Sequence, residues 1–123
     1  MKKLSTKRNI LFMNWISLTD VQQLNEIKEL SKTRAQVIFK HSTRCSISSM
    51  AKHRLERTEQ AIATDFYFLD LLRFRFLSDQ IATDFSVHHE SPQVLLIRNA
   101  ECVYEESHNG IQMTEIIKQV QLN

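Results

Sequence analysis

Cys45 stands in the run VIFKHSTRCSISSMAKHRLERTEQAI, residues 37–62, where an apolar, β-branched stretch gives way to a helical pattern. Val37 to Phe39 read as a buried strand, and Ile47, Met50, Ala51, Leu55 and Ile62 read as one face of a helix. A sulfur at that junction meets the amino end of the helix, where unpaired N–H groups and a partial positive charge favour a thiolate over a thiol. Arg44 is adjacent. Lys40, Lys52, His53 and Arg54 share the segment, and some of them must face solvent in any orientation. Ser48 occupies the place three residues on where a dithiol motif has its resolving cysteine. Its hydroxyl can hydrogen-bond a thiolate but cannot form a disulfide, so an adduct on Cys45 would be resolved by an external thiol. The alternative is a structural cysteine, since free cysteine is among the most buried residue types.

The other chemistry-bearing residues are few. Pro92, the one proline in the chain, begins the run PQVLLI at a strand start, where a missing N–H is tolerated. His88, His89 and His108 invite a metal reading. Adjacent histidines on extended backbone point to opposite faces, so no metal site is expected. His89 is expected to order the loop before Pro92 and His88 to be solvated. His108 either lines a ligand groove or serves a local turn. Cys102 lies beyond a strand of five or six residues from Pro92, about 15–20 Å along the sheet. A disulfide needs Cα atoms within about 7 Å, so Cys102 is not expected to resolve Cys45, and its expected role is edge-strand packing.

These residues need elements to position them. Met13 to Ile16 read as a first strand. Leu18, Val21, Leu24, Ile27 and Leu30 read as a helix face capped by Ser17 or Thr19. After the Cys45 helix, DFYFLDLL suits a central strand covered on both faces, its aromatics being core. Leu77, Ile81, Ala82 and Phe85 mark a third helix. Gln93 to Arg98 and Cys102 to Tyr104 form a hairpin across NAE. Ile111, Ile116, Ile117 and Val120 mark a last helix, with Met113 off that stripe. The resulting order, β-α-β-α-β-α-β-β-α, predicts an α/β fold: a mixed sheet with parallel first strands, an antiparallel hairpin edge and helices on both faces. That is a thioredoxin-like arrangement, and it places Cys45 at the carboxyl end of a strand, where open α/β sheets form their crevices.

Composition narrows the function classes. The 123 residues suffice for one domain, expected over residues 13–123. With 16 Lys+Arg against 14 Asp+Glu, interleaved, a nucleic-acid partner is not expected. MKKLSTKR, within residues 1–12, is expected to be a frayed tail. Two cysteines argue against a disulfide framework and suit a reducing cytosol. No apolar run approaches the roughly 18 residues of a membrane span, so no membrane partner is expected. The start loosely imitates a signal peptide, but Asn14 and Ser17 interrupt it and no small-x-small site follows; a cytoplasmic location is expected.

Together VIFKHSTRCSISSMA, DFYFLDLLRFRFLSDQIATDFSVHHESPQVLLI and YEESHNGI resemble the bacilliredoxins, specifically the monothiol branch of that thioredoxin-like family. The likeness lies in FKHST-x-C-x-IS, in HESP and in the later SH, and spans roughly residues 15–120. It implies a small cytosolic oxidoreductase that removes bacillithiol from protein mixed disulfides, with bacillithiol as co-substrate and no other cofactor. Its partners would be bacillithiolated proteins and bacillithiol. By this resemblance Cys45 is the nucleophile, with Arg44 and Ser48 as further catalytic candidates. Ser91 and Pro92 match the segment whose proline is cis, and Thr43, Ser46, Ser91, Pro92 and His108 are the candidate substrate-binding residues. Two positions depart from the family pattern: Ser46 stands where a proline is usual, and Ser86 where a glycine is usual. Other readings keep Cys45 but change its partner to other mixed disulfides or a sulfenic acid, or make the fold a non-catalytic interaction module. A cluster held between two monomers is disfavoured by the single glycine.

Overall fold

Seven consecutive buried residues, Ala35–His41, form the strand at the centre of the sheet. The structure, a computed structural model, describes residues 13–123; the expected tail, residues 1–12, lies outside the described residues. The elements are β1 (Trp15–Ser17), α1 (Val21–Leu30), β2 (Ala35–His41), α2 (Ser46–Glu56), β3 (Thr64–Asp70), α3 (Arg75–Phe85), β4 (Gln93–Arg98), β5 (Glu101–Ser107), a 3-10 turn (His108–Gly110) and α4 (Met113–Leu122). The five strands lie in the order β1-β3-β2-β4-β5. β3 pairs parallel to both β1 and β2, whereas β4 is antiparallel to β2 and β5. This is the thioredoxin-like order that the alternation of patterns predicts.

Because β2 is covered on both faces, its side chains alternate between two cores. Val37 and Phe39 pack with Ala51 and Leu55 of α2 and with Met113 and Ile116 of α4. Ile38 packs on the other face with Leu24 and Ile27 of α1 and Leu77, Ile81 and Phe85 of α3. Each such fully buried side chain contributes about 1.5–3 kcal/mol. The aromatic run expected to be the central strand is β3, which lies one place off centre. Its outer neighbour β1 has three residues, so the ends of β3 are only half covered.

Four local expectations are corrected. The cap of α1 is Asp20, whose carboxylate accepts the Gln23 N–H at 2.9 Å while Gln23 Oε1 accepts the Asp20 N–H at 3.3 Å; neither Ser17 nor Thr19 takes that role. A strict three-residue period drifts around a 3.6-residue helix, so Val21 and Leu30 are exposed and Leu18 is buried ahead of the helix. On α2 the inward face is Ser48, Ala51 and Leu55, while Ile47 and Met50 are exposed and Ile62 lies beyond the helix. Met113, set aside as off the α4 stripe, is buried in the core at the first residue of that helix.

Several turns carry backbone that favours glycine without having it, at Ala63, Ser86, Asn99, Ala100 and His108. Asn99 and Ala100 both have positive φ, 52° and 63°, as a two-residue hairpin turn of mirror-image type requires, and β5 therefore starts at Glu101. Ser86 ends α3 in the left-handed conformation, φ 53° and ψ 44°. That geometry favours glycine, and Ser86 carries a side chain there.

Candidate active site

The carboxyl end of β2 runs through Ser42, Thr43 and Arg44 into Cys45, which is the N-cap of α2 with extended backbone, φ −110° and ψ 122°. The Cys45 N–H donates to Ser42 O at 3.2 Å, and Cys45 O accepts the Ser49 N–H at 3.1 Å, so the residue is fixed on both sides. No side chain caps the helix. An N-cap acceptor ordinarily takes the N–H of the second or third helical residue, here Ile47 or Ser48, and no side chain accepts from either across this cap.

Ser48 is fully buried, and its hydroxyl is committed elsewhere. Its Oγ accepts the Ser42 N–H at 3.0 Å and lies 2.6 Å from His41 Nδ1. Among the described residues it has no hydrogen bond with Cys45, so the expected contact with the thiolate is replaced by a brace under the turn that carries it. His41, which the sequence reading passed over, is buried with ring centroids 5.7 Å from Phe39 and 5.2 Å from Phe68. Burial first, and then the Lys52 ammonium, push its pKa below the ordinary imidazole value, against Asp70 and Glu56. The available signal was a titratable residue at the end of a wholly buried strand.

Thr43 and Arg44 are exposed beside Cys45, between two open cavities of about 420 Å³ each. One is bounded by Thr43, Arg44, Asp70, Leu72 and Arg73. The other is bounded by His41, Thr43, Ser49, Lys52, His53 and Phe68, so one aromatic of the β3 run borders a cavity as well as the core. Ser46 is exposed at the first position of α2. Of the other cations in the segment, Lys52 donates to Glu56 at 2.7 Å, and Lys40 is buried on the opposite face of the sheet.

Across the sheet end, the Ser91–Pro92 peptide is cis. Lys40 pairs with Gln93, so the antiparallel register puts Pro92 at the same end of β2 as the Cys45 turn. Ser91 Oγ is buried with no hydrogen-bond partner. The His108 N–H donates to Pro92 O at 3.0 Å, and Arg54 of α2 donates to His108 O and Ile111 O, each at 3.0 Å. Arg54 thus ties the cysteine helix to the turn that backs the proline. His108 Nε2 lies 3.5 Å from Glu90 Oε1, and the exposed His88 lies 3.8 Å from Glu90 Oε2. Among the described residues no group of three or more His, Cys, Asp or Glu side chains is arranged to hold a metal ion.

Cys102 pairs with Ile97 beside the hairpin turn, at the opposite end of the sheet, and both cysteines are free. Burial pushes its thiol up to about 11, and its sulfur lies 3.3 Å from Tyr104 O. Cys102 packs against the core on the α1 and α3 side, as edge-strand packing requires.

Solved structures share this layout. A structure described as having a thioredoxin fold and, provisionally, an oxidoreductase role is 29% identical, covers 87% of this chain and 93% of its own, and superposes with a TM-score of 0.74. Thioredoxin from Malassezia sympodialis is 14% identical over 92% of each chain at a TM-score of 0.66. Thioredoxin from Trypanosoma brucei brucei is 14% identical over 90% of this chain and 93% of its own, also at 0.66. At that identity the two thioredoxins speak for the fold alone. The fold, with a cysteine at the N-cap position of α2, is that of a thioredoxin-like thiol–disulfide oxidoreductase. Over residues 16–116 the chain matches the family described as monothiol bacilliredoxin BrxC, and it belongs to that family. Its chemistry is accordingly that of a monothiol enzyme whose co-substrate is bacillithiol and whose partners are bacillithiolated proteins.

Proposed function

We propose that Cys45 carries the exchange. Its thiolate attacks the bacillithiol sulfur of a protein–bacillithiol disulfide; the Cys45–bacillithiol bond forms as the old bond breaks, and the client leaves as a thiolate that takes a proton from water. A second bacillithiol thiolate then attacks the bacillithiol sulfur on Cys45, giving bacillithiol disulfide and the free enzyme thiolate. One disulfide is consumed and one formed: the second bacillithiol sulfur replaces the client sulfur in the bond, and the proton that thiol gives up balances the one the client cysteine regains.

The observation that carries this reading is Cys45 at a helix N-cap that no other side chain fills. In it the α2 N–H groups and Arg44 stabilise charge on sulfur. Thr43, Ser46 and His108 line the approach, and the Ser91 backbone beside Pro92 pairs with the substrate. Ser48, braced by His41, holds the turn rather than the sulfur. We place the reaction in the reducing cytoplasm, where a small-thiol pool supplies the second step, and assign it to residues 13–123 as one unit.

The test is release of the small thiol from matched protein mixed disulfides of bacillithiol, glutathione and coenzyme A. The expected result is fastest release of bacillithiol, and none from Cys45→Ser with an unchanged far-UV spectrum. Equal slow release of all three removes bacillithiol preference; undiminished release by Cys45→Ser removes the nucleophile.

A further inference from the structure

Lys40 sits on the middle strand of the sheet with no exposed surface, a position that an apolar side chain would fill at lower cost. Its ammonium has two acceptors, the Ser78 carbonyl of α3 at 3.3 Å and His89 Nδ1 at 3.2 Å. The first is a mid-helix carbonyl and the second belongs to the loop that precedes Pro92. An ammonium donates and never accepts, so His89 Nδ1 must be the acceptor and carry no proton. The Ser78 hydroxyl, 3.2 Å from the same nitrogen, adds a second donor. Burial, then the Lys40 charge, lower the pKa of His89 in keeping with that assignment, against Asp79 and Glu90.

The loop has one other interior anchor. Gln93, also fully buried, donates from Nε2 to His88 O at 3.0 Å and accepts the Glu90 N–H at 3.4 Å. Ser91 supplies none, because its own hydroxyl is without a partner. Residues 88–90 are therefore held from within by Lys40 and the Ser78 hydroxyl at His89 and by Gln93 at His88 and Glu90, immediately before the peptide proposed to meet the substrate.

We propose that Lys40 is a positioning residue for the exchange: through His89 it holds the 88–90 loop, and so presents the Ser91–Pro92 backbone to an incoming substrate strand. The role rests on the function proposed for Ser91. It also explains why the charge is retained, since two acceptors for three N–H groups make poor stabilisation but a directional grip. Lys40 leaves the sheet on the face away from α2, so its effect reaches the substrate side of the cleft and not the sulfur.

Two readouts test this on the full chain, with Lys40→Met, His89→Leu, the double variant, and His89→Asn, whose side-chain oxygen can stand in for Nδ1. The first is steady-state release of bacillithiol from a bacillithiolated protein, together with the rate of Cys45 alkylation. The second is amide hydrogen exchange over residues 88–93, which does not depend on turnover. We expect Lys40→Met and His89→Leu each to raise KM about tenfold with a much smaller change in kcat, the loss of one charged hydrogen bond. The double variant should be no worse than either single, Cys45 alkylation should be unchanged, and exchange at 88–93 should quicken in all three. His89→Asn should recover most of the wild-type KM. If Lys40→Met does not fold, His89→Leu and His89→Asn carry the test. Unchanged exchange at 88–93, additive effects, or a fall in Cys45 alkylation parallel to turnover each overturn the proposal. Inactive wild-type protein overturns the function instead, and faster exchange in the variants would still establish Lys40 as the anchor of the loop.

Discussion

Lys40 and His41 are neighbours on β2 whose side chains leave the sheet on opposite faces: His41 meets Ser48 of α2 at 2.6 Å, and Lys40 meets His89, ahead of Pro92, at 3.2 Å. The period-two alternation of a strand turns one dipeptide into braces for both halves of the cleft. The helix that starts at the sulfur is held from one side, and the loop ahead of the cis peptide from the other.

The two thiols should differ sharply in reactivity. With its pKa pushed up to about 11, Cys102 has about one thiolate in ten thousand at pH 7. Iodoacetamide at that pH should label one site, mapped by peptide mass to Cys45, with Cys102 reacting only after unfolding. Equal labelling of both in the native protein would contradict the raised pKa of Cys102.

Lys40→Met should stabilise the protein while impairing it. Burial lowers the Lys40 pKa to about 8, against the opposing pull of Asp79, while in the unfolded chain it stays near 10.5. Between those values the unfolded chain binds the extra proton, so wild-type stability climbs with pH from 8 to 10.5, and the burial penalty is fully present below 8. The gap corresponds to about 3 kcal/mol at most. Urea midpoints at pH 7 and pH 10 should show a larger gain for Lys40→Met at pH 7. A loss of stability at both would show that the lysine's contacts outweigh its desolvation.

Acid should weaken the His41 brace. Its pKa is lowered in the folded state, so the unfolded chain takes up the proton first, and stability falls as the pH drops below about 6.5. His41→Phe keeps a ring between Phe39 and Phe68 and removes the titration. Its thermal midpoint should fall less between pH 7 and pH 5 than that of the wild type. Ser48→Ala, which strands the half-buried Ser42 N–H and the buried imidazole, should cost about 1–3 kcal/mol.

Ser86→Gly should raise the thermal midpoint. The left-handed backbone at the end of α3 costs a side-chain-bearing residue about 1–2 kcal/mol, of which the greater unfolded-state freedom of glycine takes back part. A net gain of about 0.5–1 kcal/mol is expected in urea denaturation. No gain would mean that contacts of the Ser86 side chain offset its backbone.

The fold was legible because alternating periods of two and 3.6 along the chain leave few topologies. The Cys45 junction was legible from the abrupt change of period at residue 45. Lys40, His41 and Arg54 were not. Each is a polar residue whose partner lies far along the chain (Lys40 and His89, Arg54 and His108), and a pattern of neighbours holds no trace of that pairing. Ser48 was seen for its spacing from Cys45, yet its side chain turns inward because His41 and the Ser42 N–H offer it buried partners. The same rotation of α2 brings Ile47 and Met50 to the surface, against their hydropathy.

The separation of the two sulfurs, one at each end of the sheet, also bears on the direction of the reaction. A thiol with no second sulfur within reach cannot give up a pair of electrons by closing an internal disulfide, so no step drives the sequence irreversibly one way. Each exchange trades one mixed disulfide for another of similar strength, and the ratio of free to oxidised small thiol sets the net flow by mass action. Such a protein equilibrates its clients with the thiol pool: it removes the modification when the pool is reduced and installs it when the pool is oxidised.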